Sequence, residues 1–320
     1  MIRTMTLITL VFCGLAQASL EEAKVAYEQN DSEQALILLE KLEPSVEALV
    51  LQARIWLDRD LDEAEELIDA AVEQAPNHAG AHYVRGMVMG NQASNSFLSA
   101  ISYAGKSLDS FKKAVELAPE DVAYRQGLAS FYLQAPGIAG GDPELALEQI
   151  EALEKLDSKA ALETRLNYLA AKEDEQGYGQ QMQQAIAEYG DLPDFYFQAG
   201  MTLQREENFS GAMEYFRQAV AKTPSNDESR LAWFNALYQI GRTAVISQEN
   251  VPEGIAALQR FLNETPAKRG IPEAHWARFR LANLYQLSNQ DEQAKAIYLA
   301  LNQIEDDKLA SQVKKKLKKL

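Results

Sequence analysis

Cysteine is almost missing from this chain: there is one, Cys13, in an apolar stretch near the N-terminus. A disulfide framework is therefore excluded, and the rest of the chain is indifferent to an oxidising compartment. Proline and glycine are sparse, at 10 and 17 residues. With abundant Ala, Leu, Glu and Gln, that composition favours helix over strand. Basic residues are outnumbered, 31 Lys and Arg against 47 Asp and Glu, for a formal charge of −16. A surface of that sign repels phosphate backbones and anionic lipid, so nucleic acid is not expected as a partner. Signatures of chemistry are missing too. There is no P-loop, Gly-x-Gly-x-x-Gly, Gly-x-Ser-x-Gly or His-Glu-x-x-His, hence no recognisable phosphate cradle, nucleophile elbow or zinc-protease helix. Apolar residues, by contrast, make up 47% of the chain, too many for wholesale disorder.

Residues 1–18 read as a secretory signal. Arg3 is their only charge, 4–15 is mostly apolar, and Ala16-Gln17-Ala18 offers the small residues a signal peptidase accepts. The alternative is a retained membrane anchor, although the apolar run falls short of the roughly 20 residues a span needs. Phe12 is bulky where a lipoprotein signal places a small residue, so lipidation of Cys13 is not expected. Cleavage after Ala18 removes Arg3 and takes the formal charge from −16 to −17. The expected product is periplasmic, begins at Ser19 and has no stable membrane insertion.

The remainder repeats itself. Residues 196–224 carry Tyr196, Ala199-Gly200, Leu203, Ala212, Phe216, Ala219 and Pro224. Large residues recur at helical spacing on either side of a turn at 206–208, small residues fall where two helices must approach, and the proline closes the unit. In 278–306 the same offsets hold Leu281-Ala282, Tyr285, Ala294, Tyr298 and Leu301, with Asp306 in place of the proline. Partial copies follow in 46–76 (Ala53, Trp56, Ala64, Ile68, Ala71, Pro76) and 79–119 (Gly86, Ser107, Phe111, Ala114, Pro119). Two more lie in 122–157 (Leu128-Ala129, Tyr132, Ala146, Ile150, Leu153) and 228–266 (Phe234, Tyr238, Leu258, Phe261, Pro266). Residues 20–44 and 160–190 are weaker copies.

This pattern resembles the tetratricopeptide repeat, a unit of about 34 residues whose first helix reads large-x2-Leu-Gly-x2-Tyr and whose second reads Ala-x3-Phe-x2-Ala-x4-Pro. A looser similarity is to secreted bacterial repeat proteins with a Pro-Gly-x2-Gly-Gly turn, among them the T-component proteins of TRAP-type transporters. The first resemblance implies an all-α fold: a right-handed superhelical solenoid of helical hairpins, about seven to eight of them over 19–307. One hairpin cannot bury its apolar face alone, so hairpins stack and the array ends need caps. Residues 308–320 suit the C-terminal cap, with Leu309, Val313, Leu317 and Leu320 on one helical face and lysines around the other. Docking of that basic tail on an anionic membrane is the alternative. Three units exceed the family length, by insertions at 91–105, 135–142 and 241–253.

No catalytic residue, cofactor or metal is expected. Gly140-Gly141 could cradle an anion, but Asp142 as a cap and Pro143 as the first helical residue explain the turn. His78 and His82 share a spacing that suits two ligands on one helix face, yet nothing completes a site. Acidic runs such as 58–66 and 173–175 read as solvated helix faces.

The resemblance implies a concave groove lined by first helices. In register, that groove presents Tyr83, Met87, Gln126 and Ser130, then Phe197, Met201 and Arg205, then Phe279, Asn283 and Gln286. Aromatic, Met and amide side chains together suit a peptide or helix from another protein. Phe197 and Phe279 equally suit packing between neighbouring helices. A lysine–arginine cluster for a C-terminal carboxylate is not foreseen. The expected function is a non-enzymatic interaction scaffold of the bacterial cell envelope. The alternative is a transporter-associated or small-ligand-binding periplasmic protein, with its ligand under the 91–105 insertion.

Overall fold

The computed structural model describes residues 20–304 and 306–318. The segment 1–18 read as a signal lies outside the described residues, as does Leu320 of the tail. The all-helical expectation holds: no strand occurs among the described residues. The chain divides into two compact units, the first ending at Gln181 and the second beginning at Met182.

In the first unit the helices are α1 (20–28), α2 (Ser32–Leu39), α3 (Val46–Trp56), α4 (Leu61–Gln74), α5 (Ala79–Asn95), α6 (Ala100–Leu117), α7 (Val122–Gln134), α8 (Pro143–Leu153) and α9 (Ser158–Ala171). Helix α10 (Glu175–Tyr189) runs across the division. The chain starts these helices with local chemistry. Asp31, Ser45, Asp60, Asp121, Asp142 and Asp157 each accept a bond from a backbone N–H in the first turn, a contribution of about 1 kcal/mol apiece. Helices α4 and α6 end just before Pro76 and Pro119, because the residue preceding a proline is driven out of helical geometry. Burial then selects the faces. Ala64, Ile68 and Ala71 of α4 close on Ala81, Val84 and Val88 of α5.

The second unit holds α11 (Asp194–Arg205), α12 (Phe209–Val220), α13 (Asp227–Ser247), α14 (Val251–Glu264), α15 (Ala274–Leu287), α16 (Asp291–Leu301) and α17 (Asp307–Leu317). Asn226 and Ser229 form a reciprocal capping box at the start of α13. The core runs through Phe216, Trp233, Leu237, Leu258 and Phe261. Leu309 and Val313 of α17 are fully buried against Tyr298 and Leu301 of α16.

Within each unit the helices pair in sequence as hairpins. In addition, first helices pack on first helices: α3 on α5, α5 on α7 and α7 on α9 in one unit, α11 on α13 and α13 on α15 in the other. Second helices show no comparable pairing among the described residues. The first helices therefore crowd along one face of each unit. One contact recurs inside the hairpins. A Cβ on Gly86 would lie 2.8 Å from the Phe111 ring, one on Gly200 would lie 2.5 Å from Phe216, and one on Gly241 would overlap Leu258.

The insertions are not all loops. Residues 91–105 lengthen α5 and α6, and only 96–99 turn the chain. Residues 241–253 lengthen α13, and the turn is carried by Gln248 and Asn250 in left-handed conformation (φ 59° and 53°). Residues 135–142 alone stay outside α-helix. Pro136 cannot donate, Gly137–Ala139 makes a 3-10 turn, Gly140 has φ +94°, and a Cβ on Gly141 would overlap the Ala135 carbonyl. No helix among the described residues is long and apolar enough to cross a membrane.

Candidate functional site

The extra length of α5 and α6 opens a cleft. It measures about 580 Å3 and lies between this hairpin, α7 and the 3-10 turn. Its walls are cut from small residues: Gly86, Gly90 and Ala93 on α5, Ala104 and Ser107 on α6, Gly127 on α7. Its floor is aromatic. Tyr83 meets Phe111 edge-on at 5.8 Å, and Phe111 lies 6.3 Å from Phe131. Tyr83 also sits 4.8 Å from Tyr124, and a Cβ on Gly127 would lie 2.7 Å from the Tyr83 ring. Glycine at 127 thus lets α7 approach the ring.

The rim is apolar and exposed. Ile101 and Ile138 line the opening. Phe97 and Leu98, at the tip of the long hairpin, are 95% and 93% exposed, and Ile138 is 80% exposed. These are the three most exposed large apolar side chains among the described residues. Of these, Ile138 borders the cleft itself, and Phe97 and Leu98 stand at the hairpin tip outside its lining.

A second cleft of about 510 Å3 lies on the first-helix face, across α5, α7 and α9. Its polar lining is amide and hydroxyl, from Gln126, Ser130, Gln134, Thr164 and Asn167 beside Tyr83, and Leu133, Ala170 and Ala171 complete it. Tyr83, Gly127, Ser130 and Gln134 border both clefts, so α7 is their shared wall. Gln134 donates to the Ser130 hydroxyl at 2.6 Å. Burial pushes the Tyr83 hydroxyl above its ordinary pKa, with Arg54 opposing. Tyr83 is therefore a neutral donor and acceptor at physiological pH. Titratable groups other than Tyr83 are absent from both linings among the described residues.

The structure places Tyr83, Met87, Gln126 and Ser130 in these two clefts of the first unit. The other six candidates are in the second unit. Phe197 is half-buried 6.1 Å from Phe216, and Met201 packs against the same core. Arg205 is exposed at the end of α11, and Gln286 is half-buried on α15. Phe279 and Asn283 require correction: each is only 5% exposed. Helices α16 and α17 cover that side of α15, so Phe279 fills the core beside Tyr298 at 5.8 Å. Asn283 donates to the Phe279 carbonyl and accepts the Tyr298 hydroxyl at 2.9 Å. It satisfies a buried tyrosine rather than a partner. The histidines also serve the backbone. His78 Nδ1 accepts the Ala81 N–H as the cap of α5, and His82 Nε2 lies 2.8 Å from the Pro76 carbonyl.

Gly90, Ala93, Ile101, Ala104 and Ile138 escaped the reading by register because they fall in or beside segments outside the repeat. The available signal was compositional: small residues at 90, 93, 100 and 104 mark close approach or space, and exposed apolar residues flank them.

These features define an all-α helical-repeat protein with a cleft in its first unit. The family model of the tetratricopeptide repeat matches residues 193–226, the hairpin α11/α12. That hairpin matches a tetratricopeptide repeat. No curated protein matches it. Among solved structures, it is similar to a thermophilic tetratricopeptide-repeat protein of Thermus thermophilus, at 16% identity and a TM-score of 0.44, over 69% of this chain and 98% of that one. It is also similar to human IFIT1 bound to m7Gppp-AAAA (16% identity, TM-score 0.49, 93% of this chain and 70% of that one). A third is a tetratricopeptide-repeat protein of Parabacteroides merdae (14%, 0.42, 85% and 97%). A tetratricopeptide repeat of this kind suggests a protein–protein interaction scaffold.

Proposed function

We propose that this chain is a non-enzymatic scaffold of the bacterial cell envelope that docks a segment of a partner protein on the first-helix face of its first unit. The observation that carries this reading is the convergence of Tyr83, Met87, Gln126 and Ser130 from two helices on adjoining clefts with an exposed apolar rim. The aromatic floor supplies contact area, the thioether adapts, and the amides can bond an extended main chain. A lining of tyrosine, hydroxyl and amide groups supports binding rather than catalysis. The composition of residues 1–18 supports the envelope address.

Photo-crosslinking from two positions tests this. A crosslinker at Gln126 should capture one stoichiometric protein from an envelope extract, and one at exposed Glu151 on α8 should not. Equal capture from both positions would remove the face as the site.

A second reading has one observation of its own. A cleft of about 580 Å3 falls within the roughly 300–1,000 Å3 of small-molecule sites. Under a transporter-associated role, mass spectrometry of the gently purified chain would recover a small ligand and no protein.

A further inference from the structure

Charged residues make up 24% of the sequence, yet none occurs in 86–105 or in 126–141. These two segments supply the whole lining of the cleft of about 580 Å3 except Tyr83, Ser107 and Phe111. The charges that bound the segments are engaged elsewhere. Arg85 donates to Asp69 of α4 at 2.6 Å, and Lys106 meets Glu65 of the same helix at 3.3 Å. Arg125 donates to the Pro119 carbonyl at 2.6 Å and to the Gln149 side chain at 2.9 Å. Asp142 caps α8. In a chain with a formal charge of −16, the cleft is a surface without formal charge.

Its polar side chains turn back on the protein. Asn91 donates to the Met87 carbonyl at 2.9 Å, Ser94 to the Gly90 carbonyl at 3.1 Å and Ser107 to the Gly86 carbonyl at 2.7 Å. On α7, Gln134 donates to Ser130. A peptide main chain laid between α5 and α6 would leave N–H and C=O groups short of partners, which is costly away from water. Main-chain contacts fall instead to the second cleft, where Gln126 and Asn167 stand. The shape agrees with the chemistry. Gly86, Gly90 and Ala93 recur at i, i+4 and i+7 on α5, and Ala100, Ala104 and Ser107 repeat that spacing on α6. Each helix thus presents small residues along one face for two turns, about 11 Å. Phe111 and Phe131 close the far side, and Ile101 and Ile138 stand at the mouth.

We propose that this cleft binds the alkyl chain of a ligand whose head group is uncharged, with the chain between α5 and α6 against Phe111 and Phe131 and the head group in the water beyond Ile138. The proposal rests on the small-ligand reading of the cleft and gives that ligand its chemical class. Moving a methylene from water onto apolar walls is favourable and needs no directional partner, so a lining without available donors serves it well. An anionic head group finds no cation in the lining, and the overall charge repels it. A free lipid and an acyl chain carried by a polypeptide present the same chemistry to these walls.

The probes are 1-octanol, 1-decanol and 1-dodecanol, each competing with a neutral naphthylamine dye on the full chain, read by fluorescence. Affinity should rise about two- to fourfold per added methylene, the effect of burying one. Ala93→Phe places a ring in the cleft and should weaken decanol about tenfold or more, as the buried methylenes lose their place. Ile138→Asp, at the exposed mouth, should weaken it by a smaller factor. Ile37→Ser removes an exposed apolar side chain from α2 and should change nothing. Circular dichroism checks that each variant keeps its helices. Affinity independent of chain length would overturn the proposal, as would unchanged binding in both Ala93→Phe and Ile138→Asp. So would an equal loss in Ile37→Ser, or tighter binding of decanoate than of decanol. Organic extraction of the gently purified chain, read by mass spectrometry, separates the two sources: a free lipid or an acylated polypeptide. A polar small molecule in that extract, with no alkanol binding, would overturn the alkyl ligand and leave the small-ligand reading in place. No small molecule and no alkanol binding would remove both.

Discussion

Hairpins α5/α6 and α11/α12 share one internal contact and differ in length. In each, a glycine of the first helix accepts an aromatic ring of the second, Gly86 under Phe111 and Gly200 under Phe216. The shorter hairpin ends soon after that contact. Its helices run Asp194–Arg205 and Phe209–Val220, and Phe216 is fully buried. The longer one continues past the contact to a tip at 96–99. There its two helices meet through Gly90, Ala93, Ala100 and Ala104, side chains too small to fill the space against α7, and a cleft results. The same packing contact thus sits in a closed structural unit in the short hairpin and beside an open cleft in the long one.

That contrast can be broken at its shared contact. Phe216→Ala should cost about 3–5 kcal/mol, the usual loss for a fully buried phenylalanine. Phe111→Ala should cost less, because Phe111 already borders the cleft and its neighbours can relax into that space. Urea unfolding of both variants measures the difference; equal losses would mean that the cleft does not weaken the packing of Phe111. A smaller effect on stability is expected at the tip. Phe97→Ser with Leu98→Ser should leave stability within about 0.5 kcal/mol, since both side chains lie in water, while lowering capture of the partner at Gln126. Unchanged capture would detach the tip from function.

The smallest effect sharpens the comparison with α13/α14, the other lengthened hairpin. The segment after α14 folds back on α13: Lys268 meets Asp227 at 2.8 Å, and Asn235 donates to the Gly270 carbonyl at 3.0 Å. Lys268 holds the Asp227 carboxyl below its ordinary pKa. A pKa depressed in the folded state contributes stability that is complete above the unfolded value, about 3.9, and is lost as pH falls through the folded value. The wild-type urea midpoint should therefore fall slightly more than that of Lys268→Met between about pH 5 and pH 3. Parallel curves would show that the pair is fully screened.

Much of this was legible residue by residue. Tyr196, Gly200, Ala212, Phe216 and Pro224 marked a unit whose helices and turn fall where their spacing puts them, because such spacing depends on neighbours within a few turns. The cap at Asp142 was equally readable, since a cap bonds its own first turn. The insertions were not. A stretch outside the repeat pattern can extend a helix or interrupt it, and 91–105 extended while 135–142 interrupted. Pro136 and the adjoining glycines were the local difference between them.

The candidate site divides in the same way. Tyr83 and Asn283 were assigned to one kind of position by register, and both belong to first helices. Next to Tyr83 stands Gly127, which leaves the ring bordering a cleft. Next to Asn283 stands Tyr298, whose buried hydroxyl takes the amide for itself. Helix period, caps and the pairing of small with aromatic residues are short-range matters, and the chain carries them in its order of residues. Which inward-facing side chains stay open to a partner depends on what later hairpins lay against them, and that is a property of packing between segments far apart in the chain.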